Sequence, residues 1–311
     1  MRKYDVLSVG DINIEITMTG VKSMPVLGRE ILADGLVNVL GGSTVNCAVG
    51  MSKLGLESAF VGKVGRDNNG KFLISELEKL GVDASHIAYA DVPTGITVSI
   101  NMDGDRAMTT YLGAIDELCG DDVPDELLKN AKHLHIGSFF LQNKLRRDMK
   151  SLFARAKSLG LTTSLDAGWD DTGCWDYGLK DVLEYVDIFF PNESEAKMIT
   201  GKDTVEEAAE ELSKMCSIAA VKWGKNGAYI RFGDTVVTHK AYKCTPVDTT
   251  GAGDSFNAGF LAAFIDGKPL EECIDYGLAS GSISVTRLGS AQSCPNMTEV
   301  LEMIAADMRE E

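Results

Sequence analysis

The second half of the sequence alternates short apolar segments with amphipathic ones, and this alternation constrains the fold more than any other feature of the chain. Several apolar segments have the length of buried strands, and segments between them have the spacing of amphipathic helices. The strand segments are 133–136, 161–165, 187–190 and 218–221, and the helical segments are 144–159 and 204–215. Strands separated by helices pair in parallel, because a crossover between parallel strands needs a long connection. The alternation therefore predicts an α/β protein with a parallel sheet.

The first third of the chain contains strands of a different character. Residues 4–10 form an apolar run that predicts a further buried strand, but the residues that follow alternate polar and apolar side chains. The same alternation recurs in segments 30–40, 95–102 and 107–112, and an Asp-Gly turn at 103–106 joins the last two. Because alternation leaves one face of a strand in solvent, these segments predict a small sheet that stands off the larger domain.

The charge of the chain excludes several classes of partner. Its 46 acidic and 30 basic residues give a formal net charge of -16, and no cluster of Lys and Arg interrupts this excess. Binding to nucleic acid or to an anionic membrane surface requires a concentrated basic patch, so neither partner is expected. The N-terminus lacks the apolar region of a signal peptide, and no apolar run approaches the roughly 20 residues of a membrane helix. We therefore expect a cytoplasmic protein.

Two common phosphate-binding loops are missing from the sequence, although glycine is abundant at 32 residues. A P-loop needs Gly-Lys followed by Ser or Thr, and no Gly-Lys pair of this chain has that continuation. A dinucleotide-binding turn would place further glycines directly after Gly10, where the sequence continues Asp-Ile-Asn-Ile. A Walker-type NTPase and a nicotinamide dehydrogenase are therefore both disfavoured.

One glycine-rich segment has the features of an anion site. Small residues at 251–253 open directly into a predicted helix whose apolar face contains Phe256 and Phe260. The unpaired amides and the dipole of a helix N-terminus attract an anion. Asp254 falls in the first turn, either as a capping carboxylate or as a base beside the bound anion. The second interpretation predicts a phosphoryl-transfer site in which Asp254 accepts the proton of the attacking hydroxyl group.

Two motifs carry a resemblance to a known family. Segment 248–260, with the sequence D-T-T-G-A-G-D-S-F-N-A-G-F, resembles the C-terminal signature of the ribokinase-like (PfkB) carbohydrate kinases. Residues 41–48, Gly-Gly-Ser-Thr-Val-Asn-Cys-Ala, are similar to the N-terminal signature of the same family. The two motifs stand in the family's order, and the resemblance covers almost the whole chain.

The resemblance implies a fold and an activity. The implied fold is a ribokinase-like three-layer α/β/α sandwich in one domain, 1–311, with a small β-sheet lid formed by segments 12–20, 30–40 and 95–112. The implied phosphoryl donor is ATP with Mg²⁺, joined in some members by K⁺, and the acceptor is a hydroxyl group of a small sugar or nucleoside. In the site, Asp254 resembles the catalytic base, and the amides of Gly251, Ala252 and Gly253 resemble its anion hole.

The resemblance also assigns an acceptor site. The residues at the matching positions are Asn13, Glu15, Gly41, Gly42, Ser43, Asn46 and Ser138. Glu15 departs from the family, which usually has Asp there, and the extra methylene displaces the carboxylate by more than a hydrogen bond tolerates. Ser43 lies where some members have Lys. Because a sugar phosphate needs cationic partners, this serine favours an unphosphorylated substrate.

Further positions match the nucleotide and metal sites of the family. Asn192 and Glu195 fit its N-x-x-E motif, which acts on Mg²⁺ and the phosphates through water, although Asn192 alone would also serve as a helix cap. Lys222 replaces the usual Thr of the nucleotide-contacting turn, and it either approaches a phosphate or ends a strand in solvent. The nucleotide-binding positions are Asn192, Lys222, Gly224, Gly227, Ala279 and Ser282. The positions of the monovalent-cation site are Asp248, Thr250, Ser284, Arg287, Gly289 and Ser293.

The sequence thus predicts an ATP- and Mg²⁺-dependent kinase of a small unphosphorylated sugar, fructokinase-like or ribokinase-like. A nucleoside kinase is the alternative within the same class. A catalytically inactive sugar-binding regulator is the alternative of another class, and the intact Asp254 and glycine turn disfavour it. The family often pairs two copies through the lid, so a homodimer is a further expectation.

Overall fold

The computed structural model of the protein describes residues 2–102 and 105–306. Residues 103 and 104 of the predicted Asp-Gly turn lie outside the described residues. The strands are β1 Tyr4–Val9, β2 Asn13–Thr19, β3 Gly35–Gly41, β4 Ser58–Gly65, β5 Asp83–Ala90, β6 Gly95–Met102, β7 Asp105–Tyr111, β8 Ala131–Ile136, β9 Thr162–Leu165, β10 Ile188–Phe189, β11 Ile218–Lys222, β12 Ala228–Phe232 and β13 Thr235–His239.

The helices connect these strands and cover the larger sheet. They are α1 Ser43–Lys53, α2 Asn68–Lys79, α3 Asp125–Lys129, α4 Asn143–Ser158, α5 Leu179–Leu183, α6 Glu193–Thr200, α7 Val205–Leu212, α8 Ala252–Ile265, α9 Leu270–Ser284 and α10 Met297–Ala306. None of the helices within 2–102 and 105–306 combines the length and the apolar composition needed to cross a membrane.

The larger sheet has the order β13-β12-β11-β10-β9-β8-β1-β4-β5. Strands β1, β4, β5 and β8 to β11 pair in parallel, and β12 and β13 add an antiparallel hairpin at one edge. The parallel arrangement confirms the prediction from the alternating segments.

Consecutive residues of the central strands enter two different cores. Val6 packs in a cluster with side chains of α1, α8, α9 and α10, whereas Leu7 packs in a cluster with side chains of α3 to α7. In the same way Ile188 belongs to the first cluster and Phe189 to the second. A strand that is buried on both faces needs helices on both sides, which explains why these strands are continuously apolar. The result is the predicted three-layer α/β/α arrangement.

A second, small sheet has the order β3-β2-β6-β7. Glu15 pairs with Val39 on β3 and with Thr97 on β6, so these side chains share one face. The neighbouring Ile14 lies on the other face and joins Leu40 in a third hydrophobic cluster, which includes side chains of α2. The small sheet therefore has a polar face and an apolar face.

Several boundaries differ from the sequence-based ones. Residues 30–34 of the predicted segment 30–40 precede β3 rather than belonging to it. Helix α9 begins at Leu270, where Pro269 provides its N-cap and two acidic residues occupy its first turn.

Candidate active site

Polar side chains gather where the parallel strands of the large sheet end. Strand β1 leads into Asp11, β8 into Ser138, β9 into Asp166 and β10 into Asn192, and β11 ends at Lys222. Carboxyl ends of parallel strands meet at one edge of a sheet, which is where ligands bind in open α/β folds. The functional residues predicted from the sequence are therefore to be sought at this edge.

The predicted anion hole is the N-terminus of α8. Its N-cap is Gly251, whose φ of 74° lies in the left-handed region and which has no side chain with which to cap the helix. A Cβ atom on Gly251 would lie 3.1 Å from the Cα of Ser290, so both the backbone conformation and the space favour glycine. The first amides of an α-helix have no acceptor within the helix. Here the amide of Ala252 contacts the Thr249 carbonyl at 3.3 Å, in the turn just before the helix.

The carboxylate of Asp254 is held by two side chains of α1. Ser43 Oγ donates to Asp254 Oδ1 at 2.6 Å, and Asn46 Nδ2 donates to Asp254 Oδ2 at 2.9 Å. Burial, followed by the negative charge of Asp166, raises the pKa of Asp254 to about 7. The structure thus brings together the predicted base and two of the predicted acceptor-binding residues.

Asp11 fixes the start of α1, a role that the sequence interpretation missed. Its carboxylate accepts hydrogen bonds from the amides of Ser43 at 2.9 Å and Thr44 at 3.0 Å, and from the hydroxyl of Thr44. The N-cap itself is Gly42, with a φ of 114°, and a Cβ there would lie 2.7 Å from the Asp11 carbonyl oxygen. Asp11 therefore replaces the capping side chain that Gly42 lacks.

Asp166 and Asn257 complete the centre and were also missed. Lys222 Nζ lies 2.6 Å from Asp166 Oδ2, and Asn257 Nδ2 donates to the same oxygen at 2.6 Å. One signal was available for Asp166, since it directly follows the apolar segment 161–165, as Asn192 closely follows the segment 187–190. For Asn257 the signal was its spacing from Asp254, because residues three apart on a helix lie on the same side.

The predicted magnesium residues form a helix cap. Asn192 Oδ1 accepts from the amide of Glu195 at 2.9 Å, and Glu195 Oε2 accepts from the amide of Asn192 at 2.8 Å. These two hydrogen bonds form a capping box at the start of α6. In this structure Asn192 therefore acts as a helix cap, which was the alternative to its role in the magnesium site. Burial and then Asp166 raise the pKa of Glu195 to about 8.

An apolar cavity of about 390 Å³ lies beside the N-terminus of α8. Its apolar lining includes Tyr242, Pro246, Phe256, Leu278 and Val285. The predicted nucleotide residues on its wall are Lys222, Gly224, Gly227 and Ser282, and the predicted anion-hole residues there are Ala252 and Gly253.

Ala279, predicted to lie at the nucleotide site, is not among the residues that line this cavity. It is completely buried in the hydrophobic cluster that contains α8 and α9, while the preceding residue, Leu278, reaches the cavity wall. Adjacent residues of a helix point about 100° apart, so a displacement of one position moves a side chain from a cavity into the core.

The polar face of the small sheet supplies the remaining acceptor residues. Asn13 Nδ2 donates to Thr97 Oγ1 at 2.9 Å, and a Cβ on Gly41 would lie 2.8 Å from the Cβ of Glu15. Glu15 is buried, and Ser290 Oγ lies 3.4 Å from its Oε2. Burial and then the charge of Asp248 raise the pKa of Glu15.

Ser138 lies at the carboxyl edge of the large sheet, and Arg106 reaches toward that edge from the small sheet. Ser138 is buried with a φ of 53°, a left-handed conformation that is uncommon for a residue other than glycine. Arg106 on β7 donates from Nη1 to Thr249 Oγ1 at 2.8 Å. This hydrogen bond connects the small sheet with the loop that precedes the anion hole.

The predicted monovalent-cation residues lie in two segments, 248–250 and 284–293, and Asp248 contacts both. Asp248 accepts from the amides of Thr250 at 3.0 Å and Gly289 at 3.2 Å. The side chains of the other three contact different groups: Ser284 donates to the Gly281 carbonyl, Ser293 donates to the Ser290 carbonyl, and Arg287 pairs with Glu299.

Comparisons with known proteins agree with this geometry. The family model described as pfkB family carbohydrate kinase matches residues 3–297. An uncharacterized sugar kinase of Archaeoglobus fulgidus is 32% identical and covers 81% of this chain and 100% of its own length. The 2-dehydro-3-deoxygluconokinase of Bacillus subtilis is 29% identical over 86% of this chain and 87% of its own. The structure of Arabidopsis thaliana ribokinase complexed with ribose and ATP superposes with a TM-score of 0.84 and 27% identity, over 97% of this chain and 98% of that one.

These matches extend over nearly the whole chain and include both the large sheet and the small one. They agree with the two signature motifs found in the sequence. The predicted fold is thereby confirmed. The chain belongs to the pfkB family of carbohydrate kinases and has the ribokinase-like α/β fold.

Proposed function

We propose that the protein transfers the γ-phosphoryl group of ATP to a hydroxyl group of a small unphosphorylated sugar, in the manner of a fructokinase or a ribokinase. The observation that carries this proposal is the position of Asp254. Its carboxylate is hydrogen bonded to Ser43 and Asn46, which match sugar-binding positions, and it stands in the first turn of the uncapped helix α8 beside the apolar cavity.

In the proposed reaction Asp254 acts as the general base. The hydroxyl oxygen of the acceptor forms a bond to the γ-phosphorus, the bond from that phosphorus to the bridging oxygen breaks, and ADP leaves with the electron pair. Asp254 takes the proton of the hydroxyl group as the new bond forms. The amides of Gly251, Ala252 and Gly253 stabilise the charge on the transferring group, and Ser43 and Asn46 orient the carboxylate.

The residues present fit ATP and Mg²⁺. The apolar cavity suits a purine ring, and the glycines of its wall allow close approach of the backbone. No cluster of three or more metal-ligating side chains occurs within 2–102 and 105–306. Mg²⁺ in nucleotide sites uses one or two carboxylates together with phosphates and water. Glu195 and Asn192 would hold the ion through water, and when bound it neutralises phosphate charge.

The polar face of the small sheet supports a polyhydroxylated acceptor. Asn13, Glu15 and Thr97 present amide, carboxylate and hydroxyl groups on this face, which is the chemistry that recognises sugar hydroxyls. Ser43 adds no positive charge, and the guanidinium of Arg106 donates to Thr249. We therefore propose an unphosphorylated sugar, with a nucleoside as the alternative acceptor.

A panel assay tests the proposal. ADP release is measured with hexoses, pentoses, ketodeoxy acids and nucleosides, for the wild type and for Asp254→Asn. We expect one group of sugars to exceed background ATP hydrolysis, and Asp254→Asn to lower kcat by roughly two to four orders of magnitude with nearly unchanged binding. Preferential turnover of nucleosides would favour the alternative. Retained ligand binding without any phosphorylation by either protein would favour the inactive regulator.

We also propose a K⁺ site at the loop that contains Asp248. Thr250 Oγ1 is buried and has no hydrogen-bond partner in the described part of the chain, and the carboxylate of Asp248 lies two residues earlier. A cation there would strengthen the positive field at the anion hole that begins at Gly251. We expect KCl to raise the rate of ADP release above that in tetramethylammonium chloride at equal ionic strength. Equal rates in both salts would remove the K⁺ site from the proposal.

A homodimer through the small sheet is the last part of the proposal. Leu36 and Tyr111 lie on the face opposite Glu15, and they are 64% and 54% exposed. Burying an exposed apolar face against a second copy is a common way in which small sheets are stabilised.

A further inference from the structure

Lys222 is a buried cation placed between the apolar cavity and the candidate base. Its side chain is 14% exposed and that of Asp166 is 6% exposed, and the two charged groups are 2.6 Å apart. The backbone of Lys222 is fixed as well, because its amide donates to the Pro191 carbonyl at 2.9 Å and the residue pairs with Asn192 in an isolated parallel bridge. The ammonium group of Lys222 is therefore shielded from solvent, and the backbone of this residue is held in the site.

The side chain of Lys222 passes directly over the anion hole. A Cβ atom on Gly253 would lie 3.3 Å from Lys222 Nζ and 3.6 Å from its Cδ. Gly253 belongs to the first turn of α8 and lines the apolar cavity, as Lys222 does. The ammonium group consequently lies at the point where the cavity meets the residues next to Asp254.

The charges around this point require a cation. Three carboxylates approach it, those of Asp166, Glu195 and Asp254, and each of them acts on Lys222 electrostatically. Asp166, together with Glu195 and Asp254 in their ionised forms, would repel the polyphosphate of a nucleotide from an otherwise favourable helix N-terminus. The raised pKa values of Glu195 and Asp254 leave Asp166 as the carboxylate that is ionised throughout the neutral range. Lys222 is the group that opposes this repulsion, and an ammonium group has three donors with which to do so.

The partners of Asp166 allow the ammonium group to move. Asn257 Nδ2 donates to Asp166 Oδ2, the same oxygen that Lys222 contacts. If Lys222 turned from Asp166 to a phosphate oxygen, the carboxylate would keep the hydrogen bond from Asn257. The amide of Gly168 also donates to Asp166 Oδ1 at 3.1 Å. Because a buried carboxylate without any partner would be costly, these two remaining donors make the exchange feasible.

We propose that Lys222 is a catalytic cation that rests on Asp166 in the free protein and contacts the oxygens of the γ-phosphoryl group when the nucleotide binds. This inference rests on the proposed function. Lys222 neither gives nor takes a proton in the reaction. It stabilises the charge on the phosphoryl oxygens while the acceptor oxygen bonds to phosphorus, ADP leaves and Asp254 takes the hydroxyl proton.

Nucleotide binding without an acceptor tests the inference separately from turnover. Calorimetry compares MgADP with the Mg²⁺ complex of a non-hydrolysable ATP analogue, for the wild type, Lys222→Met and Lys222→Arg. We expect Lys222→Met to weaken binding of the analogue about tenfold or more while leaving ADP affinity nearly unchanged. Lys222→Arg should recover part of the loss, since it keeps the charge. Equal affinities of all three proteins for the analogue, or equal losses for ADP and the analogue, would show a structural ion pair and overturn the inference.

A second variant covers the case in which Lys222→Met fails to fold. The double variant Lys222→Met/Asp166→Asn removes both charges and keeps a hydrogen-bonding partner for Asn257, so it avoids an unpaired buried carboxylate. It should show the same selective loss of the analogue, and a reduction of kcat by about 10²–10³ with little change in acceptor KM. A double variant that binds the analogue like the wild type would also overturn the inference. Failure of the proposed function is distinguishable from failure of this inference. In that case the wild type itself would bind neither of the two nucleotides, or it would phosphorylate no acceptor.

Discussion

Asp254 has an environment that works against its own ionisation. The carboxylate is buried and faces the charge of Asp166, and both effects favour the protonated form. Hydrogen bonds from Ser43 and Asn46 oppose them by stabilising the ionised form, but they do not restore the ordinary value. A base whose pKa lies near neutrality binds the proton of a hydroxyl group more strongly than an exposed aspartate does.

The first prediction concerns the pH dependence of the reaction. Asp254 must be ionised to act as a base, and its pKa is raised to about 7, so activity should fall as the pH drops through this value. We expect kcat/KM, which reports the free enzyme, to decrease about tenfold for each pH unit below about 7. The measurement is ADP release at subsaturating substrate between pH 5 and 9.

Asp166→Asn is the matched control for this prediction. It removes the negative charge that raises the pKa of Asp254 more than any other neighbouring charge. The fall of kcat/KM on the acidic side should therefore move to lower pH. A wild-type fall near pH 4, or a fall that stays in place in Asp166→Asn, would contradict our description of the site.

The sequence identified Asp254 but not the side chains that hold it. The glycines before it and the apolar helix after it are local signals that a single stretch of sequence contains. The contacts with Ser43 and Asn46 join distant segments, and no local pattern encodes a distance between them. Asp166 and Asn257 each had a local signal, but the hydrogen bond between them also joins distant segments and could not be read from either stretch alone.

At the scale of elements, the site is the meeting of two helix N-termini. Helix α1 contributes Ser43 and Asn46, and helix α8 contributes Asp254 and the anion hole. Each N-terminus carries partial positive charge, so the two dipoles together favour anions in the space between them. Neither helix has a side-chain cap on its N-cap residue, because Gly42 and Gly251 occupy those positions.

The second prediction concerns Asp11, which secures the start of α1 from outside the helix. Asp11→Asn should lower the free energy of unfolding by about 1–3 kcal/mol, since it weakens hydrogen bonds to the amides of Ser43 and Thr44. It should also lower kcat by about tenfold or more, because displacement of Ser43 misorients Asp254. Chemical denaturation and steady-state kinetics measure the two effects.

Asp67→Asn provides the comparison for Asp11. Asp67 caps α2 by accepting from the amide of Gly70 at 2.8 Å, and that helix contributes no side chain to the candidate site. Asp67 also accepts hydrogen bonds from the amide and hydroxyl of Thr94, just before the small-sheet strand β6. Its loss should reduce stability and leave kcat nearly unchanged. If both variants kept full kcat, Asp11 would be a structural cap and nothing more.

The sequence predicted elements with a clear period and missed elements without one. Helix α4 was found because its apolar residues recur on one face. Helix α1 was missed as a helix because its residues from Thr44 to Met51 are buried on all sides, so polar and apolar positions do not alternate with the helical period. Strand β10 is only two residues long, and it was predicted from the unbroken apolar run in segment 187–190 instead of from a period.

For the molecule as a whole, the small sheet is linked to the nucleotide side of the site. Arg106 on β7 reaches Thr249, which lines the apolar cavity and precedes Gly251. Ser290 donates to the Leu40 carbonyl at 3.1 Å and lies next to Glu15. Residues that would contact the acceptor are thus connected to residues that would contact the donor.

The third prediction concerns oligomeric state. If the apolar face with Leu36 and Tyr111 pairs with a second copy, light scattering after size exclusion should give twice the mass of one chain at micromolar concentration. Leu36→Asp should shift the protein toward the monomer, because a charge in the buried interface is costly. Val236→Asp is the control, since Val236 is 41% exposed on β13 of the other sheet. A wild type that elutes as a monomer would refute pairing through this face.

The hydrogen bonds of Asp254 span 211 and 208 positions of sequence. During synthesis, a nascent polypeptide displays α1 long before α8 has left the ribosome, so a truncated product contains half of each contact and can perform none of the chemistry. Turnover is consequently a readout of completed translation. The same separation makes the chain suited to a split reporter, in which two fragments regain activity only when they reassemble.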